Sequence, residues 1–185
     1  MKKLLLLLTL VPVLFAGCST KNSAKSIAVF VPGIIDDSPT YAKLTRGVQK
    51  AVAELNEDAK EEDKINLQIL EAGTNQAEWS AKITSLVAEG KYDVIISSNP
   101  SLPDLVEPII KQFPSQKFIL LDATKEGNAN IHTVSYDQSQ QGYLAGYIGG
   151  LMTKSHKLAL IAAQEYPVMN EIIYPSFVKG AKDAC

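Results

Sequence analysis

Short apolar runs alternate with longer amphipathic segments along most of the chain. Unbroken apolar residues at 27–31 and 118–121 are typical of strands buried on both faces, whereas residues 65–69 alternate between apolar and polar positions. Apolar positions within 40–56 recur every three or four residues, which predicts an amphipathic helix. The whole pattern predicts strands at 27–31, 65–69, 93–97, 117–122, 131–135 and 157–163, and helices at 40–56, 75–90, 101–112, 138–152 and 171–184.

This alternation of strands and helices indicates an α/β fold with a doubly wound parallel sheet. Right-handed crossovers then place helices on both faces of the sheet. The last predicted strand and helix have few neighbours from which to build a core of their own. We therefore expect a nearly complete first α/β lobe at 27–135 and the beginning of a second, incomplete lobe at 136–185.

The predicted helix after the fifth strand contains both large apolar residues and glycines. We expect its apolar side chains to point inward, namely Leu144, Ile148 and Leu151. Gly142 and Gly146 have the spacing of a membrane helix pair, but their flanks are too polar for a membrane. Close packing against another helix of a water-exposed domain is therefore the better interpretation.

The first twenty residues have the pattern of an export signal. Two lysines precede a neutral and apolar stretch at 4–15, which is shorter than the roughly 20 residues needed to span a bilayer. Two small residues then precede Cys18, as in a bacterial lipobox. We expect residues 1–17 to be a lipoprotein signal peptide, Cys18 to be lipidated, and residues 18–26 to tether the domain to the cell membrane. The alternative is a plain cleaved signal with a chance cysteine.

Composition and charge argue against several functional classes. The 18 Lys and Arg residues against 20 Asp and Glu residues leave no basic surface for nucleic acid. The sequence contains no Walker A, G-x-G-x-x-G or G-x-S-x-G pattern, so we expect neither enzyme activity nor a cofactor. His132 and His156 lack the spacing of paired metal ligands, so we expect no metal site.

Polar and aromatic residues follow the predicted strands at their carboxyl ends, the edge at which open parallel sheets bind ligands. Hydroxyls, amides, carboxylates and tyrosines at this edge would hydrogen-bond a neutral polyol and stack on a flat ring. Few cations are present there to hold an anion. The candidate ligand-binding residues are Asp36, Asp37, Thr40, Tyr41, Ser98, Asn99, Asp122 and Tyr136.

Most of these positions also have a structural interpretation. Ser38, Asn75 and Ser101 stand where helix N-caps are expected, and we interpret them as caps rather than as ligand contacts. The two adjacent aspartates could be turn residues, and the tyrosines could pack at the edge of the core. Asp122 ends an apolar strand, where a carboxylate has to be hydrogen-bonded or hydrated, which favours a functional role.

One segment closely resembles a known protein family. Residues 134–147 read Val-Ser-Tyr-Asp-Gln-Ser-Gln-Gln-Gly-Tyr-Leu-Ala-Gly-Tyr, which is similar to the start of the second lobe in the basic membrane protein family. These lipoproteins of the purine-nucleoside-receptor type are the substrate-binding components of ABC importers. Four further segments agree with the resemblance, at 33–47, 113–122, 152–154 and 177–181.

The resemblance implies a type I periplasmic-binding fold, in which two lobes close over one ligand and a membrane permease recognises the closed form. It also implies a nucleoside-like ligand. The Ser-Phe-Asn motif of the nucleoside receptors falls on Pro39, Thr40 and Tyr41 in this chain, whereas 38–41 and 98–101 are similar to the spirochaetal riboflavin-binding branch. Both a purine nucleoside and riboflavin are therefore expected ligands.

We thus expect a lipid-anchored binding protein of an ABC importer that faces the periplasm or the exterior. Asp122 and one of Asp36 or Asp37 would bond the ligand's hydroxyls, and Tyr41 or Tyr136 would stack on its ring. The main alternative is a surface lipoprotein that functions in protein–protein interaction. A hydrolase and a ligand-sensing regulator are weaker alternatives, because no nucleophile–base pair is evident and an export signal argues against binding to DNA.

Overall fold

A parallel β-sheet forms the centre of the computed structural model, which describes residues 25–162 and 165–185. The strands are β1 (Ser26–Val31), β2 (Asn66–Glu71), β3 (Val94–Ser98), β4 (Lys117–Leu121) and β5 (Ile131–Val134). The α-helices are α1 (Pro39–Asn56), α2 (Gln76–Ala88), α3 (Leu102–Gln112), α4 (Ser139–Met152) and α5 (Tyr174–Ala184), with a 3₁₀ turn at Glu61–Asp63 and a π-helical segment at Val168–Ile173. The strand order is β2-β1-β3-β4-β5, and all neighbouring strands are parallel, which confirms the predicted α/β fold.

The second strand from the edge, β1, is buried on both faces. Ala28, Val29, Phe30 and Val31 are each 0% exposed. Because successive side chains of a strand point to opposite faces, Phe30 packs with α2 and α3, whereas Val29 and Val31 pack with α1. Helices therefore cover both faces of the sheet, as the prediction of a doubly wound sheet requires.

The helix caps agree with the sequence at two of three positions. The Ser38 hydroxyl accepts a hydrogen bond from the Tyr41 N–H, and Asn75 Oδ1 accepts one from the Ala77 N–H. The prediction for Ser101 is wrong, because Ser101 already has helical backbone angles and its side chain makes no cap bond. Asn99 forms the turn instead, since its Oδ1 accepts hydrogen bonds from both the N–H and the hydroxyl of Ser101.

Helices α4 and α5 pack together through glycine. Gly142, Gly146 and Gly150 form the buried face of α4, where Gly180 of α5 approaches them. A Cβ atom added to Gly142 would lie 2.6 Å from the Ile173 carbonyl oxygen, and one added to Gly146 would overlap the Phe177 carbonyl. This contact confirms the predicted close packing of the Gly-x-x-x-Gly segment against another helix.

The predicted inward orientation of the large apolar residues on α4 is wrong. Leu144, Ile148 and Leu151 are all more than half exposed. They lie on the side of the helix opposite the glycines. Leu144 and Leu151 follow Gly142 by two and nine positions, and at 3.6 residues per turn both separations place the two side chains roughly half a turn apart around the helix axis. Because α4 packs against α5 through its glycine face, the face that carries the larger apolar side chains is exposed to solvent.

The end of the chain differs from the prediction in two respects. Residues 157–162 form no strand: Ile161 is 94% exposed, and no strand of the described residues pairs with this segment. The predicted residue Ala163 lies outside the described residues. The last helical segment begins at Val168 rather than at Glu171, with the π-helical segment first. Pro175 has no N–H to donate to Glu171, which suits the change from π to α geometry at this point.

The predictions for the N-terminus fall on residues that the structure does not describe. These are the signal peptide at 1–17, the lipidation of Cys18, and the tether up to residue 24. Within 25–162 and 165–185, no helix has both the length and the hydropathy needed to cross a membrane. All five strands fall within 26–134, and the boundary between the two lobes stays a prediction.

Candidate ligand-binding site

The carboxyl ends of the strands gather the candidate residues at one edge of the sheet. In the strand order β2-β1-β3-β4-β5 the chain reverses direction across the sheet between β1 and β3, where a crevice opens for ligands in open α/β folds. Asp36 and Asp37 follow β1, and Ser98 and Asn99 stand at the end of β3. Asp122 follows β4, the next strand, so all three groups lie at the same edge.

The loop after β1 holds the two adjacent aspartates on its surface. Both Asp36 and Asp37 are exposed. Two hydrogen bonds fix the loop to the end of β2: the Ile35 N–H donates to Glu71 Oε1 at 2.5 Å, and the Gly73 N–H donates to the Gly33 carbonyl at 3.1 Å. The acidic pair is therefore carried by an anchored loop beside the crevice.

Tyr41 packs between this loop and the apolar residues of β1. Its ring packs on Gly33, where an added Cβ would lie 2.6 Å from a ring carbon, and it also joins the apolar cluster around Val29 and Val31. Thr40 is exposed in the first turn of α1. The geometry of Tyr41 thus matches the alternative of an aromatic residue at the edge of the core.

The residues that follow β3 have different roles. Ser98 is buried at the end of the strand, next to Ser97, whose hydroxyl donates to the Phe30 carbonyl inside the sheet. The side-chain oxygen of Asn99 already accepts two hydrogen bonds from Ser101. Asn99 therefore shapes the turn that leads into α3, and Pro100 beside it reaches the cavity described below.

Asp122 has a backbone conformation that is uncommon for a residue with a side chain. Its φ is +55°, in the left-handed region, where a non-glycine residue is strained by about 1 kcal/mol. Its Oδ1 accepts a hydrogen bond from Gln138 Nε2, which ties the end of β4 to the start of α4. Such strain persists only where the surroundings hold it, and it clusters at functional sites.

A cavity of about 270 Å³ opens beside Asp122. One wall comes from the ends of β4 and β5 and the turn into α4, and the other comes from residues 166–172. Tyr136 is 57% exposed at the first wall, and Tyr166 lies on the second. The lining residues are Pro100, Asp122, Ala123, Thr124, Ser135, Tyr136, Gln138, Tyr166, Pro167, Val168, Glu171 and Ile172.

The structure brings two of the candidate residues together in this cavity and leaves six outside its lining. Asp122 and Tyr136 line it. The residues that lie elsewhere at the same edge are Asp36, Asp37, Thr40, Tyr41, Ser98 and Asn99.

Glu171 and Ile172 are lining residues that the sequence analysis did not find. The predicted helix began at Glu171, which hid the turn before it. Pro167 carries the missing signal, because proline is favoured in the first turn of a helix and a helical segment that begins there places its first turn beside the strand ends.

The acidic groups near the cavity have different partners. Asp137 accepts hydrogen bonds from the Ser139 hydroxyl and the Ser139 N–H, and these bonds hold its pKa below the ordinary value. Lys125 donates to Glu107 at 2.8 Å, a hydrogen bond that raises the pKa of Lys125 and lowers that of Glu107. Lys125 is thus directed to α3, and it does not line the cavity.

The cavity is lined by groups that can hydrogen-bond a polar ligand and contact a flat ring. In the described parts of the chain, no group of three His, Cys, Asp or Glu residues is placed to hold a metal ion. The cavity instead combines carboxylates, an amide, hydroxyls and two tyrosines. These groups accept hydrogen bonds from hydroxyls and N–H groups and offer flat apolar faces to a ring.

Comparison with known proteins identifies one family over nearly the whole described chain. The family model Bmp, described as "ABC transporter substrate-binding protein PnrA-like", matches residues 24–184. Basic membrane protein A of Borreliella burgdorferi is 26% identical over 191 residues, which cover 100% of this chain and 53% of that protein. The chain thus spans about half the length of this relative.

Two further similarities concern a named function and the fold. The protein "ABC transporter nucleoside-binding protein BmpA" of Lactococcus lactis is 23% identical over 106 residues, 57% of this chain and 30% of that protein. A crystal structure of an ABC transporter solute-binding protein from Aeropyrum pernix K1 superposes with a TM-score of 0.68 at 16% identity. It covers 86% of this chain and 43% of that one, and at this identity it shows the fold alone.

Proposed function

Because this chain belongs to the Bmp family of PnrA-like ABC transporter substrate-binding proteins, we propose that it binds a nucleoside-like ligand, a purine nucleoside or riboflavin, for delivery to an ABC permease. The observation that carries the ligand class is the cavity beside Asp122, which joins a carboxylate to two tyrosines. A nucleoside and riboflavin both combine a flat heterocycle with a hydroxylated chain or ring. The name of the Lactococcus lactis relative supports a nucleoside.

The proposed recognition uses two kinds of contact. Asp122 accepts hydrogen bonds from ligand hydroxyls, and the hydrogen bond from Gln138 keeps its carboxylate in place. Tyr136 and Tyr166 offer their ring faces to the heterocycle from the two walls of the cavity. Asp36 and Asp37 on the neighbouring loop supply further acceptors when the two lobes close. Binding requires no bond in the ligand to be made or broken.

Transport depends on closure of the two lobes over the ligand. A ligand that contacts both walls stabilises the closed form over the open form by its differential affinity, and the permease recognises that form. We further propose that the protein works outside the cytoplasm and that lipid on Cys18 anchors it to the membrane. An anchor of this kind keeps the binding protein close to its permease and raises their effective concentration.

The first experiment identifies the ligand. The purified protein is denatured, and the absorbance spectrum of the released material is recorded for the visible band of a flavin. A flavin spectrum supports riboflavin; a colourless extract leads to calorimetric titration with inosine, guanosine and adenosine. If neither riboflavin nor any of these nucleosides binds, the proposal is wrong and the protein–protein interaction alternative gains support.

Replacement of Asp122 tests the proposed contact. Asp122→Ala removes a charged acceptor and should weaken binding by about 10- to 100-fold, since a hydrogen bond to a charged group contributes about 1.5–3 kcal/mol. Asp122→Asn keeps an oxygen acceptor and a residue type that tolerates positive φ, so it should weaken binding less and preserve the thermal midpoint. Equal binding by wild type and Asp122→Ala would exclude this carboxylate from the site.

A further inference from the structure

Among the residues that the structure describes, those lining the cavity include two carboxylates and no cationic side chain. Its acidic lining residues are Asp122 and Glu171, one from each wall, and its other lining residues are uncharged. Lys125, three positions after Asp122, pairs with Glu107 and Asp104 on α3. No ion pair found among the described residues involves Glu171, so its charge is not neutralised by the protein.

Glu171 owes its position to the π-helical segment Val168–Ile173. Val168, Glu171 and Ile172 all line the cavity from this segment, and Pro167 stands directly before it. A wider turn carries more residues per revolution than an α-helix, and π-helical turns occur frequently at functional sites. The segment thus brings Glu171, together with Val168 and Ile172, to the lining of the same cavity as Asp122.

We propose that Glu171, together with Asp122, makes this site selective for uncharged ligands and excludes their phosphorylated forms; the inference rests on the proposed function. A sphere with the volume of the cavity is about 8 Å across, which is about one Debye length at physiological ionic strength. A phosphate group inside the cavity therefore lies within about one Debye length of both carboxylates, so that salt screens their repulsion only in part. Ligand hydroxyls and N–H groups instead find acceptors on both walls.

The sign of the charge has a consequence for transport. Phosphorylated nucleosides and flavins carry at least one negative charge at neutral pH, and none of the lining residues in the described part of the chain offers a compensating cation. Repulsion between like charges in a partly enclosed site is stronger than in bulk water. The binding protein accordingly selects the dephosphorylated compound, whichever heterocycle it carries.

The test compares each uncharged ligand with its phosphate ester in the same protein. Calorimetry gives the dissociation constants of inosine, guanosine and adenosine and of their 5′-monophosphates, and of riboflavin and flavin mononucleotide. For the wild type we expect the ester of the bound compound to bind at least about tenfold more weakly. In Glu171→Gln this ratio should shrink by about fivefold, because one of the two repelling charges is gone.

Glu126→Gln is the matched control. Glu126 is exposed in the loop after Thr124 and does not line the cavity, so the same change of charge should leave the ratio unaltered. A salt titration of the wild type supplies a measurement that needs no variant. Added salt screens the repulsion between the carboxylates and the phosphate, so it should reduce the ratio of the dissociation constant of the phosphate ester to that of the uncharged ligand. Far-UV circular dichroism confirms that both exposed substitutions leave the fold intact.

The outcomes separate this inference from the proposed function. One outcome is that a tested nucleoside or riboflavin binds. If its phosphate ester then binds equally well, or if Glu171→Gln has the same ratio of dissociation constants as Glu126→Gln, the proposed selectivity is wrong while the proposed function stands. If the ratio does not respond to salt, the electrostatic origin is wrong. If neither inosine nor riboflavin nor the other nucleosides bind, both the proposed function and this inference fail.

Discussion

The sheet and the α4–α5 pair solve the same packing problem with opposite kinds of residue. In the sheet, β1 buries large side chains on both faces between helices, and Phe30 and Val31 are 0% exposed. In the helix pair, Gly142, Gly146 and Gly150 let two backbones approach, while Leu144 on the same helix is 56% exposed. A helix or strand can therefore be buried through large apolar side chains or through glycines that let two backbones come close. The hydrophobic pattern of a sequence identifies only the first kind of buried face.

The largest expected effect is in the sheet. Phe30→Ala removes a fully buried ring between β1 and helices α2 and α3, and should lower the free energy of unfolding by about 3–5 kcal/mol. Urea denaturation monitored by circular dichroism measures the change. A loss below about 1 kcal/mol would show that this strand is not packed as described.

An intermediate effect is expected in the helix pair. Gly146→Ala adds a methyl group where the Phe177 carbonyl already stands, so the helices must separate at a cost of about 1–3 kcal/mol. Gly47→Ala is the matched control: Gly47 has open space around its Cβ position within α1, and alanine there should stabilise the helix by about 0.5–1 kcal/mol. Opposite signs for the two variants in denaturation experiments support the comparison, and equal signs contradict it.

A smaller effect depends on pH. The hydrogen bond from Lys179, together with that from the Tyr143 hydroxyl, lowers the pKa of Asp183 in the folded state. A group whose pKa is lower when folded stabilises the fold above its unfolded pKa, and this contribution is lost as pH falls through the folded pKa. The protection of the α4 amides against hydrogen exchange, taken relative to the intrinsic exchange rate at each pH, should therefore fall in acid, below about pH 4.

Asp183→Asn tests the origin of that acid sensitivity. At neutral pH the α4 amides of the variant should be less protected against exchange than those of wild type. Their protection should also fall much less in acid, because asparagine does not titrate. Glu126→Gln, at an exposed carboxylate that forms no ion pair among the described residues, should keep the wild-type profile. An Asp183→Asn profile identical to wild type would mean that this contact between α4 and α5 contributes nothing.

The smallest effect is expected on the outer face of α4. Leu144→Gln replaces an exposed apolar side chain on the side opposite the glycines, so the free energy of unfolding should change by no more than about 0.5 kcal/mol. The same denaturation experiment that is applied to Phe30→Ala measures it. A loss comparable with that of Phe30→Ala would place this face in a packed core and restore the prediction from hydrophobic periodicity.

The sequence predicted the structure of residues 27–135 better than that of the residues that follow them. Strands at 27–31 and 118–121 were evident because each is an unbroken run of apolar residues, and the caps at Ser38 and Asn75 depend only on nearby residues. The strand predicted at 157–163 has a similar apolar pattern, but a strand requires a hydrogen-bonded neighbour, and none is present in the described part of the chain.

The candidate site shows the same division. Asp122 was found because a carboxylate at the end of an apolar strand needs a partner or water. Its positive φ and its bond to Gln138 could not be found, since both depend on how β4 meets the start of α4. Glu171 was missed because its place on the second wall follows from a π-helical segment that ordinary helical periodicity does not reveal.

The sequence by itself determined the order of strands and helices up to the end of α4, the parallel α/β class, and the edge of the sheet at which polar residues collect. These depend on periodicity, capping and chain connection, which act over short distances along the chain. The tertiary structure alone decided which face of α4 is buried, that Tyr41 packs under its loop, and that Glu171 faces the same cavity as Asp122. Contacts between residues far apart in sequence are fixed by packing in three dimensions, and no local pattern of residues encodes them.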